Sequence, residues 1–135
     1  MTNQNDREDF QLKDFEAEFG YQQAVRVGNS IYVAGTVSLT NDGIPRDVGD
    51  MAAQVRNAYA DVVASLAHFG ATLSHVVREA IFVTDMELFL KKGLPERLRA
   101  YEGHRRPAGA PWVQVPRLAH VDFLFEVEVY AILSE

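Results

Sequence analysis

The 135-residue chain contains no cysteine, which excludes disulfides, thiolate nucleophiles and Cys-bound zinc or iron–sulfur clusters. It has no apolar run approaching the roughly 20 residues a membrane helix requires. Met1-Thr2-Asn3-Gln4-Asn5-Asp6 lacks the basic start and apolar stretch of a secretory leader. Positive charge is scarce as well: 13 Lys and Arg stand against 19 Asp and Glu, a net charge of -6. That balance provides no field for gathering nucleic acid phosphates. His68, His75, His104 and His120 show no metal-ligand spacing, so each is expected on the solvated surface with no metal. These absences predict a cytoplasmic protein with neither a membrane nor a nucleic acid partner.

What is present suits one compact core. Apolar residues make up 47% of the chain, with eight Phe, five Tyr and one Trp, and the length fits one domain. Acidity is concentrated at the start, where Asp6, Glu8, Asp9, Asp14, Glu16 and Glu18 outnumber Arg7 and Lys13. Residues 1–18 are therefore read as an acidic extension, its first ten or so as a polar mobile tail, and residues 19–135 as the domain. The basic cluster His104-Arg105-Arg106 reads as a solvated loop after a helix.

Two apolar-rich runs, Gln23–Val27 and Ser30–Thr36, flank Gly28-Asn29, a strong hairpin signal. Alternation in the second run sets Ile31, Val33 and Gly35 against Tyr32, Ala34 and Thr36. From Asp50 the period becomes helical, with Val55, Tyr59, Val62, Val63 and Leu66 on one stripe. The spacing predicts a helix over Met51–Phe69, capped by Asp50 and closed by Gly70. The β-branched run Val76–Thr84 predicts a strand. Gly93 and Pro95 then divide a helical stretch into a turn near Met86–Leu90 and a helix from Pro95 to Tyr101. Trp112–Val115 and Val121–Leu133 complete the set as a short and a long strand.

The order ββ-α-β-α-ββ predicts an α+β two-layer sandwich, one mixed sheet with two main helices on one face. On the last strand Val121, Phe123, Phe125, Val127 and Val129 face the helices. Leu124, Glu126, Glu128, Tyr130 and Ile132 form the other face, which is neither apolar nor polar throughout. Such a mixture suggests a subunit interface enclosing a polar site.

Five segments then carry a resemblance. Tyr21–Val25 with Val27–Thr36, Ile81–Met86, Val113–Leu118 and Phe125–Ala131 stand in the order and spacing of the Rid (reactive intermediate deaminase, YjgF-like) family. The resemblance covers about Phe19 to Leu133. It implies a chorismate-mutase-like fold and a homotrimer with clefts between subunits. It also implies hydrolysis of imines or enamines to a carbonyl compound and ammonia, without metal or cofactor.

Residue by residue, the carry-over is partial. The family's tyrosine at the hairpin entrance matches Tyr21 and its last-strand glutamate matches Glu126. The arginine that clamps a substrate carboxylate falls on Ala110 or Gly109, the serine before the strand glycine Gly35 is Ala34, and the asparagine of the second helix falls at or near Gly93. A divergent member is implied, with poor activity on 2-aminoacrylate because a bidentate guanidinium anchor is missing. A larger planar substrate is expected instead, aminomuconate-like for instance.

In this reading Glu126 accepts the proton of an attacking water, and Tyr21 orients that water or donates to the departing nitrogen. Trp112, Ala110, Gly93, Ala34 and Gly35 line the substrate site. The same residues also admit plainer roles: Glu126 as an interface carboxylate bonded to backbone, Tyr21 as packing, Trp112 as an interface anchor. Glu128 and Arg117 are assigned to structure, as an ion pair within or between subunits. The sequence leaves open whether Arg105 or Arg106 swings back in place of the lost clamp. The competing function is a metabolite-binding trimer without turnover, and a nuclease role sits badly with an acidic chain.

Overall fold

The computed structural model describes residues 6–109 and 111–134. Six strands, β1 (Arg7–Phe10), β2 (Ala24–Val27), β3 (Ser30–Thr36), β4 (Val76–Val83), β5 (Trp112–Gln114) and β6 (Phe125–Ile132), form one sheet in the order β1-β2-β3-β6-β4-β5. All neighbours are antiparallel except β4 and β5, so the sheet is mixed. Helix α1 (Phe15–Phe19) follows β1, and α2 (Met51–His68) follows β3. After β4 come α3 (Met86–Leu88), a π-turn at Phe89–Gly93 and α4 (Leu94–Ala100). This is the α+β sandwich that the order of elements predicts.

Local signals produce much of it. The β2–β3 hairpin closes at Gly28, whose φ of 59° suits a primed two-residue turn with glycine first. Asp50 caps α2 by accepting the Ala53 N–H at 3.0 Å, and the chain leaves the helix through Gly70 at φ 78°. The inner stripe of α2 (Val55, Ala58, Tyr59, Val62, Leu66) is buried against Ile31, Val33, Phe125, Val127 and Val129, whereas Val63, expected on the stripe, is exposed and Ala58 takes the inner position. Each large apolar side chain removed from water there contributes about 1.5–3 kcal/mol.

Several expectations are corrected. Residues 7–10, read as part of a mobile tail, form the edge strand β1, with Arg7 opposite Val27 and Phe10 opposite Ala24. Phe10 stacks on His68 with ring centroids 4.2 Å apart, so one aromatic contact fastens the edge to α2. The last strand begins at Phe125 rather than Val121. Buried Gln54 accepts the Leu124 N–H at 2.9 Å and donates to the Asp122 carbonyl at 3.0 Å, clamping that segment to α2 and out of the ladder.

The helical stretch after Asp85 is continuous where a break is expected. The Leu94 N–H reaches five residues back to the Phe89 carbonyl, and the widened turn accommodates Pro95 in the first turn of α4. Gly93 lies where this turn meets α2: a Cβ there would come within 2.6 Å of the Phe89 ring and 3.1 Å of Val55.

A buried polar cluster, absent from the sequence reading, ties the layers together. Glu79 on β4 is 2% exposed and faces the helices. It accepts from the Tyr59 hydroxyl, the Tyr101 hydroxyl and the Arg97 Nε, each at 2.7 Å. Arg97 also lies over the rings of Tyr101 and Trp112.

Among the described residues, no layer covers the face of the sheet away from the helices. Tyr32 and Tyr130 meet edge-to-face on it at 5.3 Å, Arg78 lies over Tyr130, and Ile132 is half exposed. No helix among the described residues is long and apolar enough to cross a membrane.

Candidate functional site

The site is built around a bulge. Val33 pairs with Val129 and Thr36 with Val127, so Ala34 and Gly35 together oppose Glu128. The extra residue breaks the simple alternation expected of β3. Thr36 turns into the buried layer, where its hydroxyl accepts from the Gln23 amide at 3.1 Å and donates to the Ala34 carbonyl at 2.7 Å. Gly35 is turned toward the opposite face, beneath Glu126. A Cβ on Gly35 would lie 2.2 Å from Glu126 Oε2 and 2.8 Å from its Cδ. Only a residue without a side chain lets the carboxylate lie there.

Glu126 is half-buried, and its pKa is raised from 4.5, first by loss of water and then by the neighbouring Glu128 charge. Tyr21 is near enough to feel that charge. Its hydroxyl is pushed up to about 12 by burial, with Glu16 and Glu126 adding to the shift, so it remains a proton donor throughout the neutral range.

Glu16 itself is fully buried beneath the hairpin entrance and accepts the backbone N–H groups of Leu12 and Lys13, each at 3.0 Å. Burial raises its pKa, and those bonds together with Lys13 oppose the rise. Lys13 in turn reaches the Leu39 carbonyl and Asp61, both at 2.7 Å. Glu16 and its bonds thus fix the α1 turn that presents Tyr21, whose own N–H bonds the Glu16 carbonyl at 3.1 Å.

Between these groups lies a cavity of about 200 Å³. Phe15, Phe19, Tyr21 and Phe123 supply its aromatic wall, Val37 and Leu39 the aliphatic wall, and Glu126, Gly35 and His120 its polar end. Phe15, Val37, Leu39 and Phe123 form a second, smaller apolar cluster, separate from the main core and gathered from α1, the segment after β3 and the loop before β6, while Phe19 at the rim is 74% exposed. Phe123, expected on the helix-facing side of the last strand, lies instead in the loop before β6 and joins this cluster. The wall's one sequence signal is the density of phenylalanine at positions 15 and 19, inside the supposed acidic extension.

The structure brings together Glu126, Tyr21 and Gly35, with Ala34 adjacent in the bulge. Two other candidates lie elsewhere. Trp112 sits edge-on to buried Phe89 and beside Arg97, on the helix side of the sheet, and Gly93 packs between the π-turn and α2. Ala110 lies outside the described residues.

Arg105 and Arg106 line a different groove with Val76 and Ile132. Glu126 is six residues before Ile132 on β6, a separation of about 20 Å at strand rise, so neither arginine swings back onto Glu126 within the protomer. Arg117 meets the carbonyls of Leu118 and Ala119 at 3.1 and 3.0 Å rather than Glu128.

The histidines are also better employed than expected. His68 stacks on Phe10, His75 completes a capping box with Thr72, His104 Nδ1 lies 2.9 Å from the Ser74 hydroxyl, and His120 borders the cavity. Among the described residues no three His, Asp or Glu side chains gather as a metal centre would require.

Gly35→Ala tests this geometry. The new methyl meets the far end of a flexible side chain, so the fold tolerates it while the carboxylate is displaced. Activity dependent on Glu126 is expected to fall by about 10²-fold, the scale of a 1 Å misplacement. The thermal midpoint should change little, and steady-state kinetics beside a melting curve reads both.

Comparison with known proteins agrees with the fold. The family described as Endoribonuclease L-PSP matches residues 11–133. A RutC family protein of Pyrococcus abyssi is 33% identical over 111 residues, covering 82% of this chain and 84% of the relative. Among solved structures, a Mycobacterium tuberculosis member of the YjgF/YER057c/UK114 family superposes with a TM-score of 0.79 at 34% identity, covering 94% of this chain and 99% of that one. Protein YjgH superposes with a TM-score of 0.84 at 29% identity, covering 96% and 98%. The chain belongs to the Endoribonuclease L-PSP family, the YjgF or Rid family of the sequence resemblance.

Proposed function

We propose that the protein is a hydrolase of imines or enamines, working without metal or cofactor at the cavity beside Glu126. The observation that carries this reading is the pairing there of a partly desolvated carboxylate with a tyrosine that keeps its proton. Water held against the imine carbon gives its proton to Glu126 as the C–O bond forms. Glu126 passes that proton to the nitrogen, which Tyr21 hydrogen-bonds; the hydroxyl proton follows, and the C–N bond breaks. The products are a carbonyl compound and ammonia.

The uncovered sheet face, with Tyr32, Tyr130 and Ile132 exposed beside Glu126 and Glu128, supports a homotrimer whose subunits meet over that face. The family's name refers to an endoribonuclease. A chain of net charge -6 with a carboxylate at its cavity is a poor host for a polyanion.

The test is ammonia release from imines generated in place by oxidases, measured with and without the protein, beside sedimentation to give the mass. Acceleration by a trimer is the expected result. A stable lone protomer overturns the assembly. Ligand binding without turnover on any imine or enamine favours the alternative, a metabolite-binding trimer.

A further inference from the structure

Resting on that hydrolytic reading, we propose that the cavity beside Glu126 selects an imine bearing one aromatic ring and no carboxylate, bound as its iminium cation. Such a substrate derives from the oxidation of an amine rather than of an amino acid.

Charge is the first argument. On the protomer's own side, among the described residues, the cavity wall contains no lysine or arginine; its ionisable groups are Glu126, Tyr21 and His120. His120 accepts the Asp122 N–H on Nδ1 at 3.0 Å and has the Asp122 carboxylate 3.7 Å away, so an acid faces any charge it gains. Arg117, in the neighbouring loop, gives its guanidinium to the carbonyls of Leu118 and Ala119. Glu128 lies near enough to act on Glu126. An imino acid would add a further carboxylate to this acidic field, whereas an iminium pairs with Glu126. The aminomuconate-like example expected from the sequence carries such carboxylates and fits the field poorly.

Size and lining supply the second argument. A dry cavity of about 150 Å³ holds benzene, so about 200 Å³ takes a single ring with a short arm. Phe15, Phe19, Tyr21 and Phe123 line it with aromatic side chains, which suit both a cation and another ring.

The step balances with water alone. The iminium carbon gains the water oxygen while the water proton passes to Glu126, giving a neutral carbinolamine. Glu126 returns that proton to nitrogen and the C–N bond breaks. The hydroxyl proton then passes through Glu126 to ammonia, so iminium and water become carbonyl and ammonium.

Two imines that differ only in the carboxylate decide the matter. One is made by an amine oxidase from 2-phenylethylamine, the other by an amino-acid oxidase from phenylalanine, each partitioning between hydrolysis and trapping by semicarbazide. The full-length protein is expected to accelerate the first at least about tenfold more than the second, a preference of about 1.4 kcal/mol. Calorimetry supplies a readout independent of turnover: 2-phenylethylammonium binds, phenylacetate does not, and Glu126→Gln removes the difference.

Equal or better hydrolysis of the phenylalanine-derived imine, or tighter binding of phenylacetate, overturns the proposal, as does the binding of neither probe. Binding of the cation with no hydrolysis of either imine retains the ligand class and overturns the hydrolase reading instead.

Discussion

Replacing Glu126 by glutamine is expected to lower kcat for imine hydrolysis by about 10²–10⁴-fold, the usual contribution of a positioned general base. The amide keeps the shape of the carboxylate over Gly35 but takes no proton from water. The pH profile separates this from a structural effect. Desolvation and Glu128 place the ionisation of Glu126 above 4.5, so wild-type kcat/KM rises with pH along a limb centred above that value, then levels. Glu128→Gln, which removes the second cause, moves the limb downward without abolishing activity.

Stability runs the opposite way. Because the folded pKa is raised, the contribution of Glu126 is fully present below 4.5 and is lost as pH rises through the folded value. Glu126→Gln should therefore melt no lower than wild type at neutral pH. Melting curves on both sides of the limb, beside the kinetics, check the sign. A variant that loses activity and stability together at neutral pH would make Glu126 a structural carboxylate.

Arg97→Leu is expected to cost about 3–5 kcal/mol of stability, the scale of removing one partner from a buried ion pair. Glu79 would keep the Tyr59 and Tyr101 hydroxyls but lose its only cation among the described residues, in a place water does not reach. Both tyrosine hydroxyls are raised above 10.0, first by burial and then by Glu79. Their contribution to stability is present below that pH and is lost as pH climbs through the folded values. Urea unfolding of Arg97→Leu, Glu79→Gln and the double variant measures the coupling. Additive losses would show that the cluster does not act as a unit.

These two experiments concern different halves of the molecule. The Glu79 cluster binds α2 and α4 to β4 on the helix side, whereas Glu126 and Glu128 project from the opposite side of β6. Arg97 is expected to alter stability with little effect on the pH limb, and Glu126 the reverse.

Parts of this arrangement are legible in the sequence. Glu126 and Tyr21 are selected by family resemblance, and the mixed face of β6 marks that strand as more than core. Glu79 also leaves a trace, an acid among the β-branched residues of β4 on the face shared with Ile81 and Val83. A charge at such a position needs partners, but nothing local identifies Tyr59, Arg97 and Tyr101 as those partners.

Where spacing along the chain decides the outcome, the sequence alone suffices: the Gly28-Asn29 hairpin, the Asp50 cap and inner stripe of α2, and β4 all follow from contacts within a few residues. Tertiary structure alone decided the pairing of β1 with β2, the bulge that brings Gly35 under Glu126, and the convergence of Phe15, Phe19 and Tyr21 with His120, Phe123 and Glu126. The physical reason is distance along the chain. The cavity joins segments about a hundred residues apart, and their meeting depends on strand register, which no periodicity within either segment encodes.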